Sequence, residues 1–302
     1  MSRVIEASDG LRARVNGTWA TQKLEFLEQF GPVALQATRK KLERVYLDLF
    51  AGPGRNVSSD RPGAQEFDGS PIRVLRMCAA DGRGTAFTRA VFVNANRLDH
   101  QALDARVNRL FASGESRMDR RRVFTRCGDA NALLPEIMKS IHPRSYVFAF
   151  ADIEAPNQWP WSSVEALKAG GHTSVDLYML FPLLMALNRL VSYQQKHLER
   201  YAGILTRFFG TEEWRALCDA RRTDAESAQL RRSLEALYLR RLRSRWTGAG
   251  TVMDVRMRGD RYLYKMLFAS SNAAGQRIAA WARERAREAD PGLTGQGDFF
   301  GR

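Results

Sequence analysis

Five short apolar runs, each followed by a helical or polar segment, constrain this chain more than any other feature. VYLDLF (45–50), AVFV (90–93), RVFTRC (122–127), YVFAFA (146–151) and VDLYMLF (175–181) are apolar along much of their length, with little strict alternation. A strand that is apolar on both faces must be covered on both faces. That is the condition of an inner strand in a parallel sheet flanked by helices. Between these runs, helices are predicted over 71–80, 98–111, 130–141 and 162–168. Right-handed crossovers then bring the C-terminal ends of the strands to one edge, where ligands bind.

The flanking segments read differently. Leu24, Leu27 and Phe30 recur at helical spacing and predict an N-terminal helix over 18–42, starting near Thr18. Residues 183–246 read as a helical insert. Leu198, Tyr201, Leu205 and Phe208 share one face, as do Leu230, Leu234, Leu237 and Tyr238. TVMDVRM and YLYKMLFAS flank Arg258-Gly259-Asp260, a hairpin signal, and a last helix is predicted over 273–289. The tail PGLTGQGDFFGR is Gly-rich. The expectation is one α/β domain over 1–302, with a mostly parallel Rossmann-like sheet, a helical insert and a C-terminal antiparallel hairpin.

Composition narrows the functional class. Of 302 residues, 44% are hydrophobic and 26% charged, enough to form a core and too apolar for a disordered chain. No run approaches the roughly 18 apolar residues of a membrane helix, and the first residues lack the apolar core of a secretion signal. A cytoplasmic protein with no membrane partner is the expectation. Cys78, Cys127 and Cys218 are scattered, as are the four histidines, so neither a zinc nor an iron–sulfur spacing is present. The net charge of +14 would attract polyanions such as nucleic acid. Two clusters concentrate it: Arg117, Arg120, Arg121 and Arg122, and Arg240, Arg241, Arg243 and Arg245 beside Trp246. The alternative for both is a solvated helix face.

The most informative local pattern is Asp48-Leu-Phe50-Ala51-Gly52-Pro53-Gly54, at the end of the first apolar run. Glycines there let the backbone approach a ligand, and the Asp48 carboxylate could meet an ammonium group or a water. The pattern resembles the D-x-F-x-G-x-G motif of S-adenosylmethionine-binding enzymes and lacks the spacing of G-x-G-x-x-G. The terminal hairpin is likewise similar to the class I methyltransferase fold, in which the last strand inserts antiparallel.

Four segments together carry a family resemblance. YLDLFAGPGR followed by FDGSP, VDLYMLFPLLMALNR (with Asp176, Phe181, Pro182 and Arg189), YLYKMLFASSNAAGQRIAAW (with Tyr264, Leu267, Phe268, Ala269, Ser270 and Trp281), and Lys23-Leu24 resemble the three-Cys-motif partner family. The resemblance runs from Lys23 to Trp281. It implies a class I methyltransferase-like fold and S-adenosylmethionine as cofactor, bordered by Asp48, Phe50, Ala51, Gly52, Pro53 and Gly54. Asn94 and Asp129 would surround its adenosine. Asp152 and Glu154 would face the acceptor, with Lys23, Asp68 and Ser70 contacting substrate; Arg240 and Arg243, from the cluster beside Trp246, are the candidates for nucleic-acid contact because Arg beside an aromatic can hold phosphate and stack on a base. A separate three-cysteine-motif, radical-SAM-like protein is the implied partner; the three cysteines here are not its motif.

Two departures from the pattern matter. Asn94 stands where such enzymes carry an acidic residue for the ribose hydroxyls; an amide can bond a hydroxyl without the added strength of a charge. The fourth strand ends Asp152-Ile-Glu154-Ala-Pro156, keeping the family's Asp and losing its Pro and Gly. Asp152 and Glu154 read as a general base for a hydroxyl or amine, as an ammonium site, or as solvated loop carboxylates. Asp129 also reads as a helix N-cap, and Ser70 as the N-cap before Pro71. Methyl transfer and a non-catalytic nucleic-acid- or partner-binding role both remain open on the sequence.

Overall fold

The computed structural model describes residues 3–17, 19–58, 65–77, 86–183, 187, 190–191, 195–219, 227–256 and 262–289. Thr18, Cys78, Arg189, the Arg258-Gly259-Asp260 turn and the Gly-rich tail lie outside the described residues.

The apolar runs form five strands of one seven-stranded sheet; four are inner strands, whereas the run 122–127 forms an edge strand, exposed at its last residues. In chain order the five are β3 (Arg44–Asp48), β6 (Arg89–Asn94), β7 (Val123–Cys127), β8 (Tyr146–Ala151) and β9 (Ser174–Phe181). The C-terminal hairpin adds β10 (Gly248–Arg256) and β11 (Tyr262–Ser270). Their order across the sheet is β10-β11-β9-β8-β3-β6-β7. The pairs among the first five are parallel, whereas β11 is antiparallel to both β9 and β10. This is the strand order and direction of a class I methyltransferase-like, Rossmann-like fold, as the sequence predicts. β8 is buried at every residue, and β3 and β9 at all but their first, as strands covered on both faces must be.

Helices follow the strands. α1 (Trp19–Ala37) precedes β3; it ends five residues before the predicted 42, where Thr38 turns its hydroxyl back onto the Ala34 carbonyl and a Lys/Arg-rich turn begins. α2 (Ser70–Met77), α3 (Arg97–Ala112), α4 (Ala130–Lys139) and α5 (Trp161–Ala166) connect the parallel strands. The predicted helical insert holds α6 (Gln195–Phe209), α7 (Trp214–Asp219) and α8 (Ser227–Arg243), and α9 (Ala273–Ala289) follows the hairpin. Phe208, Phe181 and Tyr238 stack at centroid distances of 4.8 to 5.9 Å, fastening the insert to β9.

Gly210 ends α6 with φ +65°, its N–H donating to the Thr206 carbonyl. A methyl group there would come within 2.3 Å of Trp161 Cγ. Gly210→Ala is therefore expected to cost roughly 2–3 kcal/mol, combining the left-handed backbone penalty with overpacking. Denaturant unfolding checks this, and a loss below about half a kcal/mol would remove the argument.

A second, four-stranded sheet has no clear signal in the sequence. Residues 3–17 are not a simple lead-in to α1, and the polar stretch after Gly54 is not merely turns. β1 (Val4–Glu6), β2 (Arg12–Asn16), β4 (Arg55–Ser58) and β5 (Glu66–Asp68) form a second sheet in the order β1-β2-β4-β5. β2 and β4 run parallel, with Arg14 opposite Asn56. The Gly52–Gly54 turn thus feeds into a strand, and the chain returns through β5 to α2. The apolar core of this small sheet is Ala7, Ala13 and Val57 among the described residues, with Ile5 packed against them. So small a core holds little by itself, and polar bolts attach the sheet to the large domain.

Candidate functional site

The site lies at the C-terminal edge of β3, β6 and β8, where chain directions in a parallel sheet leave a crevice. It has two lobes, of about 280 and 360 Å3. The first is lined by the Gly52-Pro53-Gly54 turn, Ala20, Lys23 and Leu24 of α1, Asn16, Asn56, Gly69, Ser70 and Tyr264. The second is lined by Val93, Asn94, Ala95 and Asn96 after β6, Asp129 to Asn131 after β7, and Asn157 and Gln158. Arg14, Phe50, Asp152 and Glu154 border both.

The glycine turn is shaped for close approach. Gly52 and Gly54 have φ of +65° and +82°, and a side chain on Gly54 would press to 2.9 Å from Leu103. Asn94 supports this turn from below. It is buried, and its amide donates to the Gly52 carbonyl at 2.9 Å. One donor of the residue expected at the ribose is thereby spent on the backbone, leaving its carbonyl oxygen as an acceptor.

Asp48 corrects an expectation. Its carboxylate does not line either lobe; it is fully buried beneath them. It accepts from the Ser70 hydroxyl at 2.6 Å, the Phe50 N–H at 3.3 Å and the Tyr46 hydroxyl at 3.3 Å. Burial pushes its pKa up to about 7 against these bonds. Ser70 lines the first lobe; it is the first residue of α2, and its hydroxyl ties the helix to Asp48 at the end of β3. Asp129 does cap α4, accepting from the N–H groups of Asn131 and Ala132 at 2.7 and 3.3 Å, and it borders the second lobe as well.

Lys23 and Asp152 meet across the first lobe. Lys23 Nζ donates to Asp152 Oδ2 at 2.5 Å. Asp152 Oδ1 is buried with no hydrogen-bond partner among the described residues, and so is the Tyr264 hydroxyl on the same wall. Glu154 is more exposed, 3.9 Å from Arg14.

The remaining predicted residues lie elsewhere. Asp68 pairs with Arg55 at 3.3 Å and with Arg76, outside both lobes. Arg240 pairs with Glu213, and Arg243 donates to the Ala249 carbonyl at 3.0 Å. They belong to α8, packed against edge strand β10, and border neither lobe. Arg241 lies 4.6 Å over the Trp161 ring and Arg245 pairs with Glu165. In the other cluster Arg120 bonds Asn108, Arg121 bonds Asp119, and Arg122 bonds Glu43. Among the described residues no group of His, Cys, Asp and Glu could hold a metal ion, and no helix is long and apolar enough to cross a membrane.

Arg14, Asn16 and Asn56 line the first lobe without a sequence signal that places them there. The alternation in RARVN marks β2, but nothing in the sequence places that strand over the glycine turn. Tyr264 carried part of the family resemblance without being assigned to the site.

No protein-family model matches this sequence, and no curated protein matches it. Several solved structures are similar in outline. A Legionella pneumophila protein described by the family model DUF519 is 10% identical, with 92% of this chain and 94% of that one covered at a TM-score of 0.48. Trm1 from Pyrococcus horikoshii, solved with S-adenosyl-L-methionine, is 8% identical over 95% of this chain and 64% of its own, at 0.46. A spermidine synthase in complex with the transition state analogue AdoDATO is 8% identical over 98% and 76%, at 0.41. None reaches 0.5, so the fold assignment rests on the order and directions of the strands.

Proposed function

We propose that this chain is an S-adenosylmethionine-dependent methyltransferase of the three-Cys-motif partner family, acting on or with nucleic acid or a nucleotide. The observation that carries the reading is Asp152, which borders both lobes at the end of β8 and whose buried Oδ1 has no hydrogen-bond partner among the described residues. Buried polar atoms are ordinarily paired, so an orphan oxygen on a carboxylate that borders a cleft is read as an acceptor kept for a ligand. S-adenosylmethionine, when bound, supplies a methyl group already activated on a sulfonium.

The chain's part is to bind and orient. The glycine turn and Phe50 form the floor, and Asn94 and Asp129 border the lobe that suits the adenosine. Lys23 fixes the Asp152 carboxylate by its Oδ2, which leaves Oδ1 to accept a hydrogen bond from an acceptor O–H or N–H. Asp152 then takes up the proton that the acceptor loses. Glu154 offers a second carboxylate at the same edge. The net charge of +14 supports a polyanionic acceptor, and a separate three-cysteine-motif protein remains the proposed partner.

Titration calorimetry tests the reading. S-adenosylmethionine and its demethylated product are expected to bind the folded protein at a single site. No heat from either at millimolar concentration would overturn it. Asn94 favours a second reading, a non-catalytic subunit that binds nucleic acid or a partner. Its amide is committed to the Gly52 carbonyl, and it carries no charge for the ribose. Steeply salt-dependent binding of labelled RNA or DNA by a protein silent toward the cofactor would select that alternative.

A further inference from the structure

Arg14 is the cation that both lobes share, and it comes from the small sheet. Its guanidinium lies over the glycine turn: a methyl group built on Gly52 would sit 3.4 Å from both Cζ and Nε. It is only loosely engaged. Nη2 is 3.5 Å from Asp99 Oδ2 and Nη1 is 3.9 Å from Glu154 Oε1, both long for charge-assisted bonds, which run at about 2.7–2.9 Å. Asp99 is more tightly held by Arg12, whose Nε is 3.0 Å from Oδ1.

The neighbouring arginines show the contrast. Arg106 is buried and spends its donors on Asp9 and on the carbonyls of Leu11, Arg12 and Pro53. Arg12 and Arg106 therefore hold β2 in place, while Arg14 projects a planar fork of donors into the cleft. Such a fork matches a carboxylate in a bidentate manner. Lys23, the other cation lining these walls, is committed to Asp152 at 2.5 Å.

We infer that Arg14 is a specificity-determining residue that recognises the carboxylate on the amino-acid end of the bound donor. The small N-terminal sheet thus supplies one wall of the cofactor site and selects a donor that carries that carboxylate. This rests on the proposal that the cleft binds S-adenosylmethionine. The second lobe, at the ends of β6 and β7, takes the adenosine. Arg14 and the glycine turn would then hold the amino-acid end, and Asp152 and Glu154 would border the sulfonium.

The test compares S-adenosylmethionine with its decarboxylated form, by calorimetry, on wild type, Arg14→Gln and Arg14→Lys. Wild type is expected to prefer the carboxylate-bearing donor by roughly ten- to hundredfold, the scale of hydrogen bonds to charged groups. In Arg14→Gln the preference should fall below about threefold, because S-adenosylmethionine weakens and the decarboxylated donor does not. Arg14→Lys should retain part of the preference. The ratio is read within each variant, so a general loss of stability does not imitate the result. Equal weakening of both donors in Arg14→Gln, or no preference in wild type, overturns the assignment and leaves the cofactor reading intact. No binding of either donor to wild type overturns both.

Discussion

Replacing Arg106 by Met is expected to destabilise the protein by about 3–5 kcal/mol, the scale for removing one partner of a buried ion pair. Arg106 Nε and Nη2 each lie 2.8 Å from an Asp9 oxygen, and Nη1 donates to the Arg12 and Pro53 carbonyls at 2.7 and 2.6 Å. Hydrogen bonding from Arg106 holds the Asp9 carboxyl below its ordinary range. The side chain therefore joins α3, the β1–β2 hairpin and the glycine turn at one point. The small sheet has three buried apolar residues of its own, too little to keep it docked without this bolt. Hydrogen exchange should show β1, β2 and β4 losing protection first, with β3 and β8 protected to near the global unfolding limit. A variant within 1 kcal/mol of wild type, with unchanged exchange in β2, would show that Arg106 does not anchor the sheet.

The second large effect is a pH dependence centred on Asp48. Burial raises its pKa from 3.8 to about 7. The folded state then binds more protons than the unfolded state between about pH 4 and pH 7. Its contribution to stability is fully present below the unfolded pKa and is lost as pH rises through the folded value. The loss is on the order of 4 kcal/mol at 1.36 kcal/mol per unit. Asp176, hydrogen-bonded to Tyr146 at 2.9 Å, is raised by burial to about 6 and acts in the same direction. Asp48→Asn keeps the size and an acceptor for the Phe50 N–H and removes the charge. Unfolding free energies across pH 4–8 should fall less steeply for the variant, and it should be more stable than wild type above pH 7. Parallel curves for the two proteins would remove Asp48 as the titrating group.

Parts of this architecture were legible because they depend on local chemistry. Continuous apolar runs specify buried parallel strands whatever their neighbours, and β3, β6, β8 and β9 lie within a residue or two of the runs that predict them. Gly52 and Gly54 mark a tight turn, and a helix cap is one of the two readings open for Asp129 before Ala130. Asp152 could be placed at a strand end from position alone. Asp48 is less legible: an acidic residue at a strand end looks available to a ligand, and only the packing of α2 brings the Ser70 hydroxyl onto it.

What the sequence by itself determined is the set of large-sheet strands, their helical connections and the edge at which a ligand would sit. Strand burial, turn geometry and capping act over a few residues, so their signals survive in the linear chain. Tertiary structure alone decided the small sheet and the charge arrangement of the cleft. β1 and β5 have three residues each, and β2 meets β4 across some forty residues of chain, Arg14 opposite Asn56. Such pairings are selected by docking energy rather than by local preference. The same distance hid the division among the arginines: Arg106 is a buried bolt, Arg240 a surface ion pair and Arg14 a wall of the cleft. All three carry the same side chain, and only the groups brought beside each one distinguish them.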